Sequence, residues 1–194
     1  MSEPDLFAAV GPVLRALEAL HVRCYVGGSI ASSAHGVARA SIDADIVAEL
    51  TAGQDATFVA ALADSYYVSA QRVRDAVARR TSFNVIHLAT MIKVDVFVSK
   101  DRAFDRRVME RAKLHNLGPA GGGALPLASP EDIVLLKLEW YRRGGEVSER
   151  QWTDVAGVLV AGGSALDVAY LKDGAVELGV ADLLARALAE AERD

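Results

Sequence analysis

The chain of 194 residues holds one cysteine, Cys24, so no internal disulfide can form and a reducing compartment is expected. It also lacks any apolar run of the ~20 residues that a spanning helix needs, because charge interrupts each run earlier. No passage through a membrane is expected. The opening MSEPDLFAAV lacks the basic start of a secretory signal, and these absences together predict a cytoplasmic protein. Basic residues are in deficit: 21 Lys and Arg stand against 26 Asp and Glu, a formal net charge of -5. That excludes nonspecific coating of nucleic acid by the whole surface and leaves room for a local basic patch. Internal repeats, low-complexity blocks and zinc-type His and Cys spacings are missing as well.

What is there is globular: 52% hydrophobic and 24% charged residues, enough for one domain or one domain with a small helical annex. Apolar positions at helical spacing predict a helix from Leu6 to Leu20, followed by a short strand, RCYV, running into Gly27. Ser29 to His35 suits one or two helical turns stopped by Gly36, and IDADIVAEL has strand character. Helices are expected from about Gln54 to Ala63 and from Gln71 to Arg80, with a short YYV strand between them. SFNVIHLATMIKVDVFVS reads as two strands turning near Ala89 and Thr90. In the second, Ile92, Val94, Val96 and Val98 form an apolar face, and Lys93 and Asp95 lie on the other. The glycine-rich GPAGGGALPL is a hairpin or linker, since it lacks the strand-before, helix-after setting of a phosphate loop. Beyond it Ser129 and Ser148 open capping boxes, and the chain reads as helices to its end. The expected division is a core over 1–128 and a C-terminal helical annex over 129–194.

Chemistry concentrates in YVGGSIASSAHGVARASIDADIV. Asp43 and Asp45 are two apart, so on a strand both carboxylates leave the same face, where they repel unless a proton or cation stands between them. With Asp95 on a neighbouring strand, three carboxylates would meet as hard oxygen ligands of the kind Mg²⁺ takes. Taken singly, each reads equally well as a solvated strand residue. Gly27 and Gly28 end a strand where a helix begins at Ser29, so backbone N–H groups and the positive helix end can face an anion. One end of the stretch suits triphosphate oxygens and the other suits the metals that neutralise them.

GGS, then RASIDAD, then KVD on a later strand together resemble the polymerase-β-like nucleotidyltransferase superfamily. EDIVLLKLEWYRRG and SERQWTDVAGVL are similar to the later motifs of the AbiEii/MenT-type toxins and their small relatives, except that Gly157 and Val158 stand where a second acid usually follows Asp154. The resemblance implies an α/β (α+β) nucleotidyltransferase fold, a mixed β-sheet flanked by helices with a C-terminal annex. It implies transfer of a nucleoside monophosphate from an NTP to an acceptor hydroxyl, such as one on RNA or tRNA, with release of pyrophosphate. Asp43, Asp45 and Asp95 would be the catalytic acids and ligands of a two-metal Mg²⁺ site that could also take Mn²⁺. Gly27, Gly28 and Ser29 would cradle phosphates, with Arg39, Ser41 and Lys137 as further nucleotide contacts and Asp154 in support. A toxin of this group would have an antitoxin partner. Two alternatives keep the fold: a non-catalytic nucleotide-binding regulatory or antitoxin module, and a nucleotidyltransferase acting on a small molecule such as an antibiotic.

Several residues carry two readings. Lys137, centred in an apolar arc, either snorkels over the annex surface or faces a phosphate. Arg39 and Ser41 orient phosphates or shape the loop. Asp154 supports the site or pairs with Arg150 one turn away. The basic run Lys100 to Lys113 is a solvated helix face or an acceptor contact. His35 is expected as a helix cap, His87 as a satisfied sheet residue, and Ser29 lacks the partners of a nucleophile.

Overall fold

The computed structural model describes residues 3–38, 43–117 and 123–193. Its elements divide into two compact units, one of residues 1–27 and 40–127, the other of residues 28–39 and 128–194.

The first unit is built on a seven-stranded sheet, with strands β1 (Cys24–Val26), β2 (Asp43–Ala48), β3 (Tyr66–Tyr67), β4 (Ser82–His87), β5 (Lys93–Val98), β6 (Lys113–Asn116) and β7 (Ala124–Leu127) in the order β3-β4-β5-β2-β1-β7-β6. It is mixed: β2 runs parallel to β5 and β1 to β7, and the other neighbours are antiparallel. Four helices belong to the same unit: α1 (Glu3–Ala19), α3 (Asp55–Leu62), α4 (Ala70–Arg79) and α5 (Ala103–Arg111). One sheet face is apolar because alternate residues of β2, β4 and β5 are Ala44, Ile46, Ala48, Phe83, Val85, Val94, Val96 and Val98, all buried. Val10, Val13 and Leu17 of α1 and Phe58 and Leu62 of α3 complete that core, with Phe58 edge-on to Phe83 at 5.8 Å between centroids. Tyr66 locks β3 to α1 by donating its hydroxyl to the Ala9 carbonyl at 2.6 Å. Of the two readings of the glycine-rich segment, hairpin or linker, the antiparallel pairing of β6 with β7 accords with the hairpin. Leu125 and Leu127 are the alternating buried positions of β7, whereas β6 is largely exposed.

The second unit gathers α2 (Gly28–His35) with α6 (Pro130–Arg143), α7 (Glu149–Gly162), α8 (Val168–Glu177) and α9 (Ala181–Ala191). Ser129 and Ser148 cap α6 and α7 as expected, each hydroxyl accepting from the N–H three residues on. Buried polar groups at the start of α6 are satisfied: Asp132 accepts from Ser129 Oγ and from the Tyr170 hydroxyl, and Glu131 accepts from the Asp167 N–H. His35 Nε2 lies 2.8 Å from the Ala128 carbonyl and ties α2 to the chain before α6.

The end of α2 crosses α7 where both have glycine. A Cβ on Gly36 would lie 2.9 Å from the backbone of Gly157 and Val158, and one on Gly157 would lie 3.4 Å from Val37. Thus the backbone of α7 at Gly157 leaves no room for a side chain at Gly36. Gly36→Ala is expected to force the helices apart and to cost about 1–3 kcal/mol, the range for overpacking. Denaturant unfolding measures it, and an unchanged midpoint would show that the crossing yields without cost.

Candidate active site

Strands β2 and β5 are parallel and in register, with Asp43 opposite Lys93 and Asp45 opposite Asp95. Paired residues share a face and the side-chain period is two, so all four charged side chains stand on the half-exposed face, opposite the apolar core. β4 adds Asn84, directly opposite Asp95. The sheet therefore brings together the three acids expected from the sequence.

Three neighbouring carboxylates repel, and Lys93 answers them. Its Nζ lies 2.8 Å from Asp95 Oδ2 and 3.7 Å from Asp43 Oδ1. The hydrogen bond to Asp95, aided by the charges of Asp95, Asp43 and Asp45 against some desolvation, lifts the ammonium above the usual lysine range. Among the described residues no three His, Cys, Asp or Glu side chains are arranged to hold a metal as they stand. The donor set nevertheless fits a hard divalent cation: carboxylates on one face of strands about 4.8 Å apart, and an internal cation already drawn to them. With 38% of its side chain exposed, Lys93 has room to leave.

The glycine turn is tied to the carboxylate strand, since the Gly27 N–H donates to the Asp45 carbonyl at 2.9 Å. Gly28 opens α2 with φ of 54°, a conformation that a side chain resists, and Ser29 behind it is buried. Arg39 and Ser41 lie outside the described residues. Lys137 is neither snorkelling nor open to solvent: it is 6% exposed, and its Nζ donates to Asp154 Oδ2 at 2.7 Å and Gln151 Oε1 at 3.2 Å. It joins α6 to α7 as half of a buried ion pair, so Asp154 has a partner on another helix.

In the basic run, Arg102 is held by Asp105 at 2.7 Å and Arg106 by Asp101 at 3.1 Å, while Arg107 lies over Phe104. Much of its charge is met locally, which accords with a helix face stabilised by its own acids. His87 is satisfied by Thr90 Oγ1 at 2.8 Å. Burial, with Glu18 adding repulsion, pushes the Cys24 thiol up to about 11, so it is no nucleophile at neutral pH. Cys24 lines a cavity of about 710 Å³ beside α1 and β7. That cavity is remote from the chemistry: Cys24 pairs with Ala48, on the face opposite Asp45. Strand alternation alone puts Lys93 and Asp95 on one face, whereas the contact of Lys93 with Asp43 needs β2 alongside.

No family model matches the chain, and no curated protein matches it. Solved structures do resemble it. One is the solution structure of the antibiotic-resistance factor ANT(2'')-Ia, with a TM-score of 0.51 at 13% identity over 95% of this chain and 94% of that one. Another is the crystal structure of an antigenic nucleotidyltransferase-like protein from Paracoccidioides brasiliensis, with a TM-score of 0.50 at 17% identity over 92% of this chain and 90% of that one. The fold is that of nucleotidyltransferases. Among the described residues no helix is long and apolar enough to cross a membrane.

The Lys137–Asp154 pair carries a prediction. Lys137→Met would leave a buried carboxylate without its cation and is expected to cost about 3–5 kcal/mol, whereas Lys137→Met with Asp154→Leu regains most of that stability. Urea unfolding of the three proteins checks it. A folded, fully stable Lys137→Met protein with weakened NTP binding would instead make Lys137 a phosphate ligand.

Proposed function

We propose that this chain is a Mg²⁺-dependent nucleotidyltransferase that moves a nucleoside monophosphate from an NTP to an acceptor hydroxyl. The observation that carries the proposal is the register of β2 and β5, which sets Asp45 opposite Asp95 with Asp43 on the same face. Asp43, Asp45 and Asp95 would hold the divalent cation, which when bound supplies positive charge to the triphosphate and the leaving pyrophosphate. Lys93 yields its place at the carboxylates and remains near as a positive side chain. Asp95 accepts the proton of the attacking hydroxyl at a carboxylate oxygen, and Asn84 opposite it orients the group that approaches. The acceptor oxygen bonds to the α-phosphorus, the bond from that phosphorus to the bridging oxygen breaks, and pyrophosphate departs with its electron pair. Gly27 and Gly28 offer backbone N–H groups, and Ser29 the start of a helix, to the triphosphate.

The motifs shared with AbiEii/MenT-type toxins favour an RNA acceptor and an antitoxin partner. The likeness to an antibiotic-resistance factor favours a small-molecule acceptor. A module that binds nucleotide without chemistry is the third reading, and three retained acids on one face speak against it.

Asp45→Asn keeps size and removes a ligand charge. Nucleotidyl transfer, followed with labelled NTPs and Mg²⁺, is expected to fall by about a hundredfold or more with the thermal midpoint preserved. NTP binding by calorimetry is expected to disappear in EDTA. Equal NTP affinity with and without Mg²⁺, or unchanged transfer by a folded Asp45→Asn protein, would end the metal-site reading.

A further inference from the structure

The acceptor is the open term in that reaction, and one cavity, of about 260 Å³, borders the carboxylates. It lies wholly in the first unit. Arg72, Asp75 and Arg79 of α4 form one wall, Ser82 and Asn84 of β4 another, and Asp95 closes the end. Positions 72, 75, 76 and 79 are spaced i, i+3, i+4, i+7, so α4 turns a single stripe toward the cavity. On the strand side, β3 pairs with β4 at Ile86 and His87, leaving the stretch from Ser82 to Asn84 as an open edge beside that stripe among the described residues.

The charges lining this cavity are unequally satisfied. Asp95 is met by Lys93 at 2.8 Å, and Asp75 accepts from Gln71 Nε2 at 3.0 Å. Two other arginines of the region are engaged: Arg74 lies 3.7 Å from Asp55, and Arg80 donates to the Ser99 carbonyl at 3.0 Å. The guanidinium groups of Arg72 and Arg79 have neither an ion pair nor a hydrogen bond among the described residues. They are the unspent cations next to the acid that takes the proton.

Guanidinium is planar, always charged and matched to phosphate oxygens. Seven residues on a helix advance about 10 Å, so Arg72 and Arg79 can each hold a separate phosphate along one strand. Resting on the reading of Asp95 as the proton acceptor, we propose that this cavity receives the hydroxyl end of a single-stranded nucleic acid. Arg72 and Arg79 hold its backbone phosphates, Ser82 and Asn84 contact the terminal sugar, and the hydroxyl faces Asp95. A polycationic small molecule would meet two uncompensated positive charges there and is disfavoured. The same comparison moves RNA recognition from α5, where Arg102 and Arg106 are already paired, to α4.

The test uses the full chain and a labelled ten-nucleotide RNA whose 3′ end is deoxy, so that no transfer occurs, in fluorescence anisotropy at two salt concentrations without NTP or metal. Arg72→Glu with Arg79→Glu is expected to weaken binding at least tenfold and to lower the salt slope by about 1 to 2, as loss of two backbone contacts requires. Mg²⁺-dependent NTP binding by calorimetry is expected to stay within twofold of wild type, as is RNA binding by Arg106→Gln with Arg107→Gln. Unchanged RNA affinity in the α4 variant, or a loss confined to the α5 variant, would overturn the proposal. So would AMP or an aminoglycoside binding wild type more tightly than the RNA does. Because RNA binding is read without NTP or metal, a protein that holds RNA through Arg72 and Arg79 but never binds NTP would strike the reaction proposed above and leave this binding site standing.

Discussion

The parallel pairing of β2 with β5 is the constraint from which the candidate site follows. Residue parity on a strand is strict, so a slip of one position would send Asp43 and Asp45 into the apolar layer and bring Ala44 and Ile46 to the solvent side. The burial of Ala44, Ile46, Val94 and Val96 thus fixes where the acids stand. Hydrophobic packing on one face, worth roughly 25 cal/mol per Å² of apolar surface buried, holds like charges together on the other. The Gly27 N–H bond to the Asp45 carbonyl then links the glycine turn to the same strand. Electrostatics alone would disperse three carboxylates; the register overrides it, and Lys93 relieves what remains.

The second unit solves a different problem, that of burying charge among helices. Lys137 and Asp154 satisfy one another, Asp132 is satisfied by Ser129 and Tyr170, and Glu131 caps the start of α8 through the Asp167 N–H. Each would be costly alone and acceptable when paired. Close helix approach at Gly36 and Gly157 belongs to the same design, since only glycine permits backbones that near.

Local pattern made much of this legible. Period-2 alternation announced β5, serine caps announced α6 and α7, and the two-residue spacing of Asp43 and Asp45 announced a shared face. What stayed hidden depended on partners remote in sequence. β6 lacks an apolar alternation because its side chains are largely exposed, so only its pairing with β7 defines it. A helical wheel placed Lys137 in an apolar arc and could not show Asp154 waiting on another helix. The grouping of α2 with the C-terminal helices is likewise a tertiary fact, as its eight residues look like an insertion between strands of the core.

Lys93 and the α4 arginines together show why formal charge is a poor guide to a site. The chain carries -5, its candidate centre carries three acids, and its most basic stretch by sequence is α5. Yet Arg102 and Arg106 are paired with aspartates, whereas Arg72 and Arg79, facing the cavity at Asp95, make no ion pair among the described residues. A cation already paired has exchanged hydration for a fixed partner and gains little from a second anion, and an unpaired one keeps its full interaction to give. The relevant quantity is therefore charge left over after the protein's own pairs are made. On that measure the carboxylate face stays negative in the absence of metal, since Lys93 offsets only part of its charge, and the unpaired cations sit beside it on α4. Such an arrangement separates two electrostatic tasks, neutralising a triphosphate and positioning an acceptor, between two sets of side chains on one sheet and its covering helix.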